Sequence, residues 1–178
     1  MSSILKVDQI QLSNGNTPTA GDLGLNTTGT VLQIQDGTLN TRTVKSGTGV
    51  ASTGLSATIT PTSTSSKILI EITSSWGISD WNLGIFKLYK NGSQISVSGT
   101  SFNGLAVLQH QVQNGASANS NGFCTSLSLS YMDTPSSTSA LTYELYFQND
   151  SGVTIYFNGR PQSNQTGYAH MKLTEIAG

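Results

Sequence analysis

Two histidines, one cysteine and nine acidic residues are all that this 178-residue chain offers for acid–base, nucleophilic or metal chemistry. His110 alternates with Ala106, Leu108 and Val112, so it belongs to a largely apolar face and reads as a hydrogen-bonded buried or interface histidine. His170 shares a face with Tyr168 and Lys172 and reads as surface. Neither histidine has an acidic residue or a second histidine two or four positions on, as a facial metal site requires. Cys124 is alone, which permits neither an internal disulfide nor a cysteine-based zinc site. There is no G-x-S-x-G elbow and no Gly-Lys-Ser/Thr phosphate loop. Serine is so abundant that a Ser/His/Asp triad can be drawn by chance, which makes it uninformative. The acids stand singly, and only Glu71 and Glu144, on outward strand faces, suggest a pair across a cleft. A glycosidase needs two carboxylates roughly 5–10 Å apart. The expectation is no enzyme, no cofactor and no metal.

Binding chemistry is better represented. Both tryptophans lie in Trp76-Gly77-Ile78-Ser79-Asp80-Trp81, around an expected strand-to-strand turn. Trp76 and Trp81 there form either an aromatic platform for a sugar ring or partner surface, or, for Trp76, a plug at one end of a core. Tyr156, Asn158 and Arg160 make a second candidate patch, or an ordinary hairpin tip. The four Asn-x-Ser/Thr sequons, at Asn26, Asn91, Asn149 and Asn164, reflect the Asn/Ser/Thr richness rather than glycosylation.

The elements that must position these residues are strands. Ser (26), Thr (23), Asn (13) and Gln (11) dominate, only 10% of residues are charged, and the net charge is −1. Strand and turn formers are abundant and good helix formers scarce. No basic cluster exists to neutralise phosphates, so nucleic acid is not an expected partner. The longest apolar run, residues 105–108, is far short of the roughly 20 needed to span a bilayer. The start of the chain has no apolar signal-peptide core, which predicts synthesis without Sec export.

From about residue 46 apolar residues recur at period two. Ile68, Ile70, Ile72 and Trp76 share one face; Leu141, Tyr143, Leu145 and Phe147 share another, against Thr142, Glu144, Tyr146 and Gln148. Turn signals such as Asn91-Gly92 and Asn158-Gly159 end the runs. About eight strands with one apolar and one Ser/Thr face predict an all-β, jelly-roll-like antiparallel sandwich over 46–178. Residues 1–45 look too thin in apolar content for a core of their own. They read as an extended attachment or trimerising segment, with Ile4, Leu5, Val7, Ile10 and Leu12 as the contact residues.

Several stretches carry a family resemblance: TITPTSTSSKILIEI at 58–72, FKLYKNG at 86–92, SLSYMDTPSSTSALTY at 128–143, KLTEIAG at 172–178 and ILKVDQIQLSNGN at 4–16. Together they resemble the distal β-domain and the opening segment of tail-fibre-like virion proteins of tailed bacteriophages, cyanobacterial and marine phages especially. The resemblance implies a homotrimer on the virion surface, made in the host cytoplasm. Its 1–45 segment would attach to other virion proteins, and its sandwich would meet a host cell-surface glycan. The chain lacks the heptad or Gly-x-y repeats of a long shaft. That leaves a capsid decoration (cement) protein, clamping the head shell, as the alternative.

Overall fold

The computed structural model describes residues 10–18, 21–23, 28–79, 82–97, 106–110, 123–149, 152–160 and 165–178, and the side chains of 82, 83, 106–110 and 123 lie outside the description. Among the described residues there are eleven strands and no helix: β1 (Val31–Leu39), β2 (Thr43–Lys45), β3 (Gly49–Ile59), β4 (Lys67–Ile78), β5 (Asn82–Lys90), β6 (Ser93–Gln94), β7 (Ala106–His110), β8 (Phe123–Asp133), β9 (Leu141–Asn149), β10 (Ile155–Phe157) and β11 (Ala169–Ile176). They form two antiparallel sheets packed as a sandwich.

In the first sheet β8 pairs with residues 68–78 of β4. On the other side of β4, β11 takes residues 67–73 and β10 takes 76–78, end to end. β1 then flanks β11, and β2 flanks β10. The second sheet runs β3–β9–β5, with β6 and β7 both on the far edge of β5. The Asn91-Gly92 signal closes β5 onto β6 as a two-residue turn, with φ of 49° and 77°, because Asn and Gly tolerate the left-handed conformation that such a hairpin needs.

The period-two faces become the core. Ile68, Ile70, Ile72, Trp76 and Ile78 of β4 face Tyr143, Leu145 and Phe147 of β9 and Phe86 and Leu88 of β5, all at most 2% exposed. At one end an aromatic chain runs Trp76–Phe86–Phe157–Phe147, with ring centroids 5.6, 6.3 and 6.5 Å apart. At the other end Asp133, on the last position of β8, binds both Lys90 Nζ at 2.8 Å and the Tyr143 hydroxyl at 2.7 Å, tying the sheets together. Burial, with the Asp133 charge beside it, pushes the Tyr143 phenol well above its ordinary value.

The boundary expected near residue 45 is not one in the structure. β1 and β2 are paired strands of the first sheet, so the sandwich begins at Val31. Their low apolar content misleads because β1 contributes polar ties instead of bulk. Gln33 Nε2 donates to Glu175 Oε2 at 2.6 Å, and the Leu39 carbonyl accepts from Asn158 Nδ2 at 2.8 Å. A substantial core forms within one chain.

Candidate functional site

Trp76 offers no platform. It points inward from β4, is 2% exposed and meets Phe86 edge-on, with ring planes at 79°. Trp81 lies outside the described residues, as do Ile4, Leu5 and Val7. Ile10 is 51% exposed and Leu12 half-buried, and the described residues before Val31 form no strand. The side chain of His110 is likewise outside the description.

The structure does bring Tyr156 and Arg160 together, through a third residue that sequence reasoning missed. Tyr156 faces outward from β10 between Val44 and Gly77. The Arg42 guanidinium sits 5.4 Å from its ring centroid, a cation–π contact, and Arg42 Nη1 donates to the Arg160 carbonyl at 2.8 Å. Arg42 is 114 residues away in sequence from Tyr156, so no spacing rule could have found it.

The loop beneath is built on Asn158, fully buried and left-handed at φ 57°. Its Nδ2 donates to the carbonyls of Leu39, Thr41 and Gly167. The next residue must be glycine for space: a Cβ at Gly159 would lie 2.8 Å from both Arg42 Cδ and the Gln165 carbonyl. We expect Gly159→Ala to push the Arg42 stem off Tyr156 and lower stability by about 1–3 kcal/mol, read by urea unfolding, as overpacking does. With Arg42 on Tyr156 and its fork on the loop backbone, this patch works as a clamp between β2 and the 158–160 loop. Arg160 itself is exposed.

Glu71 and Glu144 do not pair. Glu71 projects from the outer face of the first sheet and forms an ion pair with Lys172. Glu144 projects from the outer face of the second, with Oε1 accepting from Ser52 Oγ at 3.0 Å. The whole core separates them, and sheets in a sandwich stand about 10 Å apart before side chains are added. They cannot flank one glycosidic bond. His170, half-buried, reaches Asp36 at 2.9 Å across β1 and β11. Among the described residues no three His, Cys, Asp or Glu side chains gather as a metal site. Cys124 is unpaired and half-buried, its Sγ 3.6 Å from the Gly159 carbonyl.

A different aromatic pair stands on the outer face of the second sheet. Tyr89 of β5 and Tyr146 of β9 stack with centroids 3.9 Å apart and planes at 28°, both half-buried. They are diagonal neighbours in the register. Tyr89 lies opposite Glu144, and Tyr146 lies between Lys87 on one strand and Ser52 on the other. Beside them Thr58 and Thr142 share a hydroxyl hydrogen bond at 2.9 Å. Burial, the Glu144 charge and the neighbouring Tyr89 hold the Tyr146 phenol above its ordinary value. The signal was in the sequence: Tyr146 occupies a position whose neighbours on the same face are Thr142, Glu144 and Gln148. An aromatic among polar outward residues is the anomaly to look for.

No protein-family model matches this chain, and no curated protein matches it.

Proposed function

We propose that this chain is a structural protein of a tailed-bacteriophage virion. It is a short tail fibre that attaches through the segment before Val31 and meets the host surface through its sandwich. One observation carries the reading. Among the described residues the core takes none from before Val31, yet Ile10 and Leu23 there stand out in water at 51% and 46% exposed, as do Val31 and Ile34 at 53% each. Apolar groups excluded from a finished core are suited to burial against another protein. The sandwich is accordingly read as a jelly roll: each passage from β2 to β5 and from β7 to β10 changes sheet, and the strand orders β8–β4–β11–β1 and β3–β9–β5–β7 fit that winding. Three copies about a threefold axis would bring the opening segments together.

Gold-labelled antibody against the chain, applied to purified particles, tests the assignment. Label at the tail is expected. Label spread over the head shell would instead favour the decoration protein, which has the same need for an apolar arm, and unlabelled particles would overturn both. Light scattering of the purified protein at micromolar concentration should return three times the 18.7 kDa chain mass. A monomer mass would remove the trimer.

A further inference from the structure

Beyond attachment to the particle, we propose that the Tyr89–Tyr146 pair is a binding site for a neutral pyranose ring of a glycan, with Glu144 as its hydrogen-bond acceptor. The proposal names a ligand class for the host-contacting sandwich and so rests on that reading, though it can fail separately.

A pyranose has one face of C–H groups and a rim of hydroxyls that both donate and accept. An aromatic face carries negative quadrupole charge and attracts C–H groups, while remaining a low-entropy apolar surface. Here two stacked rings stand on a sheet face lined by Ser52, Ser56, Thr58 and Thr142 toward β3, with the buried Ile85 and Lys87 on the β5 side. Neither ring is drawn into the core, since Tyr89 and Tyr146 alternate with the inward Leu88, Lys90, Leu145 and Phe147. The rim hydroxyls donate, and the register supplies an acceptor for them beside the stack. Glu144, half-buried, stands opposite Tyr89, with Oε1 already oriented by Ser52; Lys87, opposite Tyr146, is buried. Orientation by a neighbour lowers the entropy lost when the carboxylate engages a ligand.

Rings and a carboxylate together also suit a cation. Lys87, opposite Tyr146 in the register, places a like charge beside the stack and opposes that guest. Burial of a cross-strand aromatic pair for sheet stability alone predicts no ligand at all, which the experiment separates.

The test is saturation-transfer NMR on the full chain with methyl α-D-glucopyranoside, methyl α-D-galactopyranoside and methyl N-acetyl-β-D-glucosaminide, each in the millimolar range. Transfer to ring C–H protons is expected for at least one of them. Tyr89→Ala and Tyr146→Ala should each weaken the best glycoside about tenfold, whereas Tyr146→Phe, which keeps the ring, should leave it within about threefold. Glu144→Gln should weaken it about fivefold at unchanged melting temperature. Absence of transfer with all three glycosides overturns the site, as does undiminished binding in Tyr146→Ala. If the alanine variants fail to fold, unchanged affinity in Glu144→Gln overturns it. Tetramethylammonium displacing the bound glycoside would assign the stack to a cation instead and also overturn it. Virion labelling is independent of these outcomes, so loss of one reading is distinguishable from loss of the other.

Discussion

Trp76→Ala should be the most damaging single change in the core, lowering unfolding free energy by about 3–5 kcal/mol, as large-to-small aromatic truncations do. That is a large share of the roughly 5–15 kcal/mol a domain holds, and corresponds to a fall in melting temperature of roughly 10 °C. The side chain is 2% exposed and starts the aromatic chain through Phe86 to Phe157 and Phe147. It also has a socket cut for it. At Gly84 of β5 a Cβ would stand 2.7 Å from Trp76 Cζ3, so the absence of a side chain there is what admits the indole. Removal of the indole leaves a cavity between two sheets already locked by their hydrogen bonds, and such a site collapses poorly. Trp76→Phe should cost less than half as much. It keeps a ring against Phe86 and deletes a buried indole N–H that has no hydrogen-bond partner among the described residues. Urea unfolding followed by circular dichroism measures both. An alanine variant within about 1 kcal/mol of wild type would mean that the indole is not a core element.

Glu175 should behave as a buried anion that the fold needs ionised. It is fully buried in β11, and its Oε1 accepts from the Thr62 backbone N–H at 2.7 Å, the Thr62 hydroxyl at 2.8 Å and the Ser66 hydroxyl at 2.7 Å. Gln33 takes Oε2. Burial by itself pushes the carboxyl upward, but the donors from Ser66, Gln33 and Thr62 together outweigh it and hold the group below the ordinary 4.5. A folded pKa below the unfolded one stabilises the fold wherever the group is ionised in both states. That contribution is complete above the unfolded value and is lost as pH falls through it toward the folded value. Wild type should therefore weaken on acidification below about pH 4.5 more than Glu175→Gln, which has no proton to gain. Parallel pH profiles for the two proteins would refute the assignment. Glu175→Ala at neutral pH should cost about 3–4 kcal/mol, because it strands several donors around a fully buried position. The carboxylate joins the 60–66 turn, the edge strand β1 and the last strand, so its loss should loosen all three.

How far these features could be read from the sequence depended on whether the signal was local. Alternation along residues 141–148 placed Leu141, Tyr143, Leu145 and Phe147 inward, and the structure has all four buried. Asn91-Gly92 announced its turn because left-handed backbone is a property of two adjacent residues. The strands at 31–45 were legible only as short apolar pieces. Their place in the sandwich depends on pairing with β10 and β11, more than 100 residues later. Trp76 admitted two readings, since its alternation with Ile72 and Ile78 argues core while its nearness to a turn argues surface. Gly84, on the opposite sheet, decides between them.

Composition and period-two patterning alone thus determined that the chain is all-β, with Ser/Thr faces turned to water and few groups able to do chemistry. Those properties arise from each residue's own preference and from the geometry of one strand. Tertiary structure alone decided that Glu71 and Glu144 point away from each other. It also decided that Arg42 covers Tyr156, that four donors converge on Glu175, and that Tyr89 stacks on Tyr146. Each of these joins residues from different strands, and the register and sheet order that bring them together are set by how the whole core packs, not by any spacing along the chain.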